Sequence, residues 1–329
     1  MCTYDFVLGG IMGLVVGDAL GVPTEFQSRE ELSDDPVTNM RQYGTHYQPA
    51  GTWSDDSSMV LASMDSLSKK LNYIDMMDKF SSWLLYGEYT PYGEVFDIGV
   101  STSNAIMNYT SGMTPLECGG KSTGDNGNGS LMRILPTALY FYGIADNLHE
   151  YGNYEMMQKI HEISSLTHAH PRSQVGCGLY AGFIGNILRY RNQYQPLALM
   201  KECAQAVFGY YARHQYLDEM IDELEEYSRL RDIDTFAKLS EYEIKSSGYV
   251  VDTLEAAIWC FITTDSYEEC VLRSVNLGDD TDTVAAVAGG LAGCYYGYSK
   301  IPDELLKVIA KREWIEGLCR KFQESLIEK

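Results

Sequence analysis

The chain has 329 residues and carries 46 acidic against 25 basic side chains, a formal charge of −21 at pH 7. That balance argues against a nucleic-acid partner or an anionic membrane surface, whose phosphates need a basic face. Hydrophobic residues make up 45% and suffice for a large core, while the eight cysteines are scattered without a CxxC pair and read as reduced residues of a cytoplasmic protein.

The opening Met1–Asp5 lacks the basic residues of a secretory signal. No run of about 18 uninterrupted apolar residues follows, so no transmembrane helix is expected. Val7, Ile11, Leu14 and Val15 mark one face of a helix over Asp5–Leu20. Gly9, Gly10, Gly13 and Gly17 lie in the same helix and imply close backbone approach, since each weakens a helix by about 1 kcal/mol relative to alanine. Thr24-Glu25-Phe26 begins a loop, and Ser33–Ala50, with Pro36, Gly44 and Pro49, reads as a long irregular connection. Helices are expected over Ser57–Leu71, Ile74–Leu85 and Ser101–Tyr109, with a Gly/Pro/Tyr loop over Tyr86–Gly99. Thr114-Pro115-Leu116-Glu117 has the form of a capping box. A glycine-rich stretch, Gly119–Ser130, leads to a helix over Leu131–Tyr142. Further helices follow at Tyr154–Leu166, Gln174–Tyr190, Pro196–Glu226, Tyr249–Thr263, Ser266–Asn276 and Pro302–Glu328. Without βαβ alternation the chain reads as all-α, a single compact domain packed around a buried helix that begins near Thr283.

Two acidic clusters head apolar helices: Asp55 and Asp56 before Met59-Val60-Leu61-Ala62, and Asp280 and Asp282 before Val284–Gly293. Helix capping is the competing reading, but a cap needs only one or two carboxylates. A helix that is apolar all round is buried, and buried carboxylates are costly without a counter-charge. With the hydroxyls of Ser54 and Thr283, the four aspartates form an all-oxygen set suited to magnesium or manganese rather than zinc. Two ions about 4 Å apart would fit that many carboxylates. Gly124–Ser130 reads either as an anion cradle or as a flexible loop. Gly120-Lys121-Ser122 imitates the end of a phosphate-binding loop, but Pro115 stands where that motif needs glycine. His168 and His170 lack partners for zinc, and Glu25 and Asp97 are lone loop carboxylates.

Seven stretches occur in order: GDALGVPTE (Gly17–Glu25), WSDDS (Trp53–Ser57), FDIG (Phe96–Gly99), GNGSLMR (Gly127–Arg133), THAH (Thr167–His170), SGYVVDTLEAA (Ser247–Ala257) and GDDTDT (Gly278–Thr283). Together, from Gly9 to about Tyr296, they resemble the ADP-ribosylglycohydrolase family, and in particular its dinitrogenase-reductase-activating branch. The resemblance implies an all-α fold, two Mg2+ or Mn2+ ions, and hydrolysis of the bond joining ADP-ribose to a modified side chain, arginine favoured. It implies metal ligands Ser54, Asp55, Asp56, Asp280, Asp282 and Thr283. Asp97 and Glu25 fall at catalytic positions. Gly127, Asn128, Gly129 and Ser130 would hold the diphosphate, His168 would flank the ligand, and Tyr249 would lie toward the adenosine. Ser54 departs from the family's usual threonine but keeps the hydroxyl. The expected partners are an ADP-ribosylated protein and free ADP-ribose, with no nucleic acid or membrane, and the chain is expected to be a monomer. Two other readings stay open: a silent ADP-ribose-binding protein of the same fold, and a two-metal phosphohydrolase of nucleotide diphosphates.

Overall fold

A computed structural model describes residues 4–144, 154–214 and 218–327. In chain order its helices are α1 (Tyr4–Gly21), α2 (Arg29–Asp34), α3 (Asp55–Leu67), α4 (Tyr73–Tyr86), α5 (Val100–Thr110), α6 (Leu135–Ile144), α7 (Tyr154–Ser165) and α8 (Pro171–Tyr190). There follow α9 (Pro196–Arg213), α10 (Asp218–Leu224), α11 (Ile233–Phe236), α12 (Val250–Ile262), α13 (Tyr267–Asn276), α14 (Thr281–Tyr296), α15 (Asp303–Leu306) and α16 (Arg312–Ile327). Short 3-10 turns fill several connections, and the only extended pairings among the described residues are two isolated bridges, Gly120 with His168 and Gly127 with Tyr249. The all-α expectation therefore agrees with the structure.

The centre is an antiparallel pair, α1 against α14, and the glycines of the sequence explain it. A Cβ placed on Gly9 would meet the Gly293 carbonyl oxygen at 2.6 Å; one on Gly13 would overlap the Gly289 carbonyl, and one on Gly17 that of Ala285. At the end of the register, a Cβ on Gly21 would meet the backbone of Asp282. Contacts thus recur every four residues, the spacing of one helix face. The absence of side chains lets the two backbones touch. Tyr267, from α13, fixes the pair by donating its hydroxyl to the Gly13 carbonyl at 2.7 Å. Every residue from Val7 to Gly21 is buried, as is every residue from Thr281 to Cys294. The pairing carries the end of α1 to the start of α14, which is where the acidic residues gather.

Several expectations need correction. The segment Tyr4–Thr24 is long and apolar enough to cross a membrane by composition, with mean hydropathy 1.8 over its best window. Counting only uninterrupted apolar residues missed it, because Asp18 and the glycines break the run. In the fold 94% of that window is buried, mainly beneath α14. The Thr114 box is a 3-10 turn, Pro115–Glu117, in which the Thr114 hydroxyl bonds the Glu117 carboxylate at 2.7 Å instead of a backbone N–H. The helix expected over Ser57–Leu71 stops at Leu67, and the one over Pro302–Glu328 is two helices with Lys311 at positive φ between them. Of Pro196–Glu226, α9 ends at Arg213, and residues 215–217 lie outside the described residues. Seven cysteines are free and buried; Cys2 lies outside the described residues.

Candidate active site

Three chain segments converge on one acidic floor: the end of α1, the first turn of α3 and the first turn of α14. Asp18, the one charged residue within the buried stretch of α1, makes the first link. Its carboxylate accepts from the backbone N–H groups of Ser54 and Ser57, each at 2.9 Å, and from the Ser57 hydroxyl at 2.5 Å. It therefore caps α3 from another helix and sets its first turn. Burial holds the Asp18 carboxyl up at about 6 against these hydrogen bonds. Asp56 makes the second link, accepting from the Ser54 and Thr283 hydroxyls at 3.1 Å each and so joining α3 to α14. Asp280 accepts the Asn128 side-chain amide at 2.8 Å, while Asp282 accepts the Thr283 N–H at 2.9 Å.

One oxygen on each of Asp56, Asp280 and Asp282 (Oδ1, Oδ1 and Oδ2) is buried without a hydrogen-bond partner among the described residues. Once ionised, buried carboxylates with orphaned oxygens call for a cation. Burial, and next the Asp56 carboxylate, push Asp55 well above the usual range. Burial and then Asp18 do the same to Asp56, and burial and then Glu25 to Asp282. Asp280 is raised by burial, with the Asn128 bond opposing. Oxygens of Glu25, Asp280 and Asp282 can lie within 4.8 Å of one another, which makes a group able to hold a metal ion.

Above this floor opens a cleft of about 290 Å³, lined by Glu25, Asp55, Asp97, Asp280 and Thr283 on one side and by Gly127, Asn128, Gly129 and His168 on the other. Its rim carries strained backbone. Phe26, Asp97 and Asp279 all have positive φ, between 55° and 67°. Two hydrogen bonds hold the first and last in place, Phe26 N–H to the Asp279 carbonyl at 2.7 Å and Asp279 N–H to the Gln27 carbonyl at 2.8 Å. Such conformations persist where surrounding contacts over-determine them, commonly beside a functional site.

His46 is a residue that the sequence did not single out. It bonds the Glu25 carboxylate through Nε2, which also lies 4.0 Å from Asp97, and its ring packs against Phe96 at 5.1 Å. Burial lifts Glu25 to about 7, and the Glu25 bond in turn raises His46. The two groups therefore titrate as a coupled pair joined by one hydrogen bond.

The glycine-rich wall is fixed from both sides. Asn128 N–H donates to the Gly248 carbonyl at 3.0 Å and Val250 N–H to the Asn126 carbonyl at 3.0 Å. The Asn128 N–H is thus already engaged by the protein. Ser130 is turned inward, where its hydroxyl accepts from Ser164 at 2.9 Å. The bulk of His168 packs against Gly129, where an added Cβ would come within 2.8 Å of the ring. Burial first, and then the Arg133 charge, press His168 down to about 3, so the ring is neutral. Tyr249 sits just outside the cleft under Arg172, which donates to its hydroxyl at 2.8 Å and pairs with Glu223 and Glu226. His170 caps α8, accepting the Arg172 N–H at 3.2 Å.

An all-α fold with a buried carboxylate centre at the meeting of helix ends, able to hold a metal ion beneath a cleft, defines a class of metal-competent enzyme. Within that class, the model of the ADP-ribosylglycohydrolase family matches residues 3–328, and the chain belongs to this family. It is 30% identical over 327 residues to the ADP-ribosylarginine hydrolase Tri1 of Serratia proteamaculans, covering 97% of this chain and 79% of that protein. It is also 30% identical to the ADP-ribosyl-[dinitrogen reductase] glycohydrolase of Rhodospirillum rubrum, over 99% of this chain and 96% of that one. Among solved structures, an ADP-ribosylglycohydrolase-related protein complex superposes with a TM-score of 0.77 at 27% identity, over 98% of each chain.

Proposed function

We propose that the protein releases ADP-ribose from mono-ADP-ribosylated protein side chains, arginine favoured. The observation that carries this reading is the junction of Asp56 and Thr283, which puts the starts of α3 and α14 on one cleft floor. The name of the Serratia relative supports arginine as the linkage, and that of the Rhodospirillum relative supports a modified protein as substrate.

Ser54, Asp55, Asp56, Asp280, Asp282 and Thr283 would hold two Mg2+ or Mn2+ ions, which when bound supply charge stabilisation to sugar oxygens and to water. Gly127–Gly129 and His168 bind the diphosphate, and that remote contact orients the sugar. Tyr249 lies toward the adenosine. Departure of the guanidine nitrogen leaves positive character on the sugar ring, as in other glycoside cleavage. Asp97 takes the proton of the attacking water, and Glu25, hydrogen-bonded to His46, returns one to the leaving group. The carboxylates around that point also suit a cationic guanidinium leaving group.

Incubation with ADP-ribosyl-arginine and ADP-ribosyl-serine peptides tests the reading. Intact ADP-ribose is expected from the arginine peptide when Mg2+ is present. AMP among the products would indicate a phosphohydrolase instead, and binding without release a silent reader. In the same assay Asp97→Asn is expected to lower kcat by about a hundredfold while leaving the Mg2+-induced rise in Tm intact; undiminished turnover would move the proton-accepting role to Glu25.

The raised carboxyls also set a pH dependence. A group whose pKa is higher folded than unfolded contributes stability below its unfolded value and loses that contribution as pH rises through the folded one. Asp18 at about 6 and Glu25 at about 7 place the loss near neutrality. In chelator, Tm is therefore expected to fall between pH 5 and 8. Added Mg2+ competes with the protons of the raised Asp55, Asp56 and Asp282 carboxyls, so it should raise Tm more at pH 8 than at pH 5.5. An equal rise at both would argue against ligation by these groups.

A further inference from the structure

Arg133 is fully buried, with its guanidinium stacked 4.8 Å over the Phe80 ring. Among the described residues no carboxylate pairs with it. One of its nitrogens donates to the Ile163 carbonyl at 3.0 Å and to the Thr167 hydroxyl at 2.8 Å. The same Thr167 oxygen lies 2.9 Å from Nδ1 of His168. Thr167 is itself wholly buried, so its single hydroxyl proton needs an acceptor. A guanidinium can only donate, which leaves His168 Nδ1 as the acceptor for that proton. Were Nδ1 the protonated nitrogen, it would also donate to Thr167, and the threonine proton would be stranded. The Thr167 proton finds an acceptor only when Arg133 donates to Thr167, Thr167 donates to Nδ1, and the imidazole proton sits on Nε2. That nitrogen faces the cleft wall, 3.7 Å and 3.3 Å from where Cβ atoms on Gly127 and Gly129 would stand, and has no hydrogen-bond partner among the described residues.

We propose that Arg133 and Thr167 are positioning residues that lock His168 as a neutral Nε2–H donor aimed at an anionic group of the ligand, the diphosphate in the reading above, on which this inference rests. Arg133 acts here through geometry, because its charge is too far behind the wall to touch the ligand itself.

The test has two independent arms. Long-range 1H–15N spectra of the ligand-free full-length protein, with His168 assigned through loss of its signals in His168→Gln, should show protonated Nε2 and unprotonated Nδ1. A protonated Nδ1, or an averaged pair of tautomers, overturns the proposal without reference to any ligand. Titration with ADP-ribose and with adenosine is the second arm. Thr167→Val should mix the tautomers and weaken ADP-ribose by about tenfold with adenosine unchanged, and Thr167→Ser should restore both. Equal weakening of the two ligands, or no change in either, overturns the proposal. If the unmodified protein binds no ADP-ribose, the reading of the cleft fails, while the tautomer arm still decides the relay.

Discussion

Asp282→Asn is expected to reduce release of ADP-ribose by at least about a thousandfold, a loss of some 4 kcal/mol of barrier lowering, and yet to melt higher than the parent protein in chelator at pH 8. The two outcomes share a cause. Asp282 is completely buried among Glu25, Asp56, Asp97 and Asp280, and one of its oxygens lacks any hydrogen-bond partner among the described residues. Without a cation, ionising it costs stability, and asparagine removes that charge while keeping the shape. With a cation the same charge is needed, so Mg2+ should raise the Tm of the parent and leave that of the variant nearly still. Thermal melts with and without Mg2+, alongside peptide turnover, measure both effects. A variant that melts lower in chelator, or that keeps a tenth of the turnover, would show the carboxylate to be a structural cap.

Gly293→Ala is expected to destabilise the fold by about 3 kcal/mol or more, toward the upper end of what overpacking costs. The added methyl would overlap the Gly9 carbonyl oxygen and stand 2.6 Å from its carbon. Both are backbone atoms of the central pair, which a rotamer change cannot relieve. Against a typical total of roughly 5–15 kcal/mol, such a loss is severe. The control is Gly317→Ala on the exposed face of α16, where no described atom lies within 4 Å of the new methyl. There the gain in helix propensity should raise stability by about 0.5–1 kcal/mol. Urea midpoints of the two variants compare them; similar midpoints would mean that α1 and α14 can move apart without cost.

The sequence showed the acidic clusters because each stands immediately before an apolar helix, a local signal. It also showed that the glycines of α1 require a close neighbour, but not which one, since Gly289 and Gly293 are some 280 positions away. Asp18 was visible as a charge in an otherwise apolar helix and was passed over because its role, capping α3, depends on a contact 36 residues away. His46 carried no signal of its own. It lies in an irregular stretch with no period, and its importance comes from folding back on Glu25. Ser130 and Asn128 belong to one motif, but the fold separates them: the hydroxyl faces Ser164 inside, and the amide faces Asp280 at the cleft. Backbone path decides such directions, and side-chain identity alone does not encode it.

The pairing of the first helix with the fourteenth has a consequence for synthesis. Thr281 reaches the Gly21 carbonyl across 260 residues, and Tyr267 reaches Gly13 across 254. A ribosome therefore exposes an oily, glycine-notched segment long before its cover is translated, and contacts of such span form slowly. An apolar N-terminal segment that stays uncovered during synthesis follows from this topology. So does a late birth of the acidic floor, whose first carboxylate, Asp18, waits until Asp282 has been made.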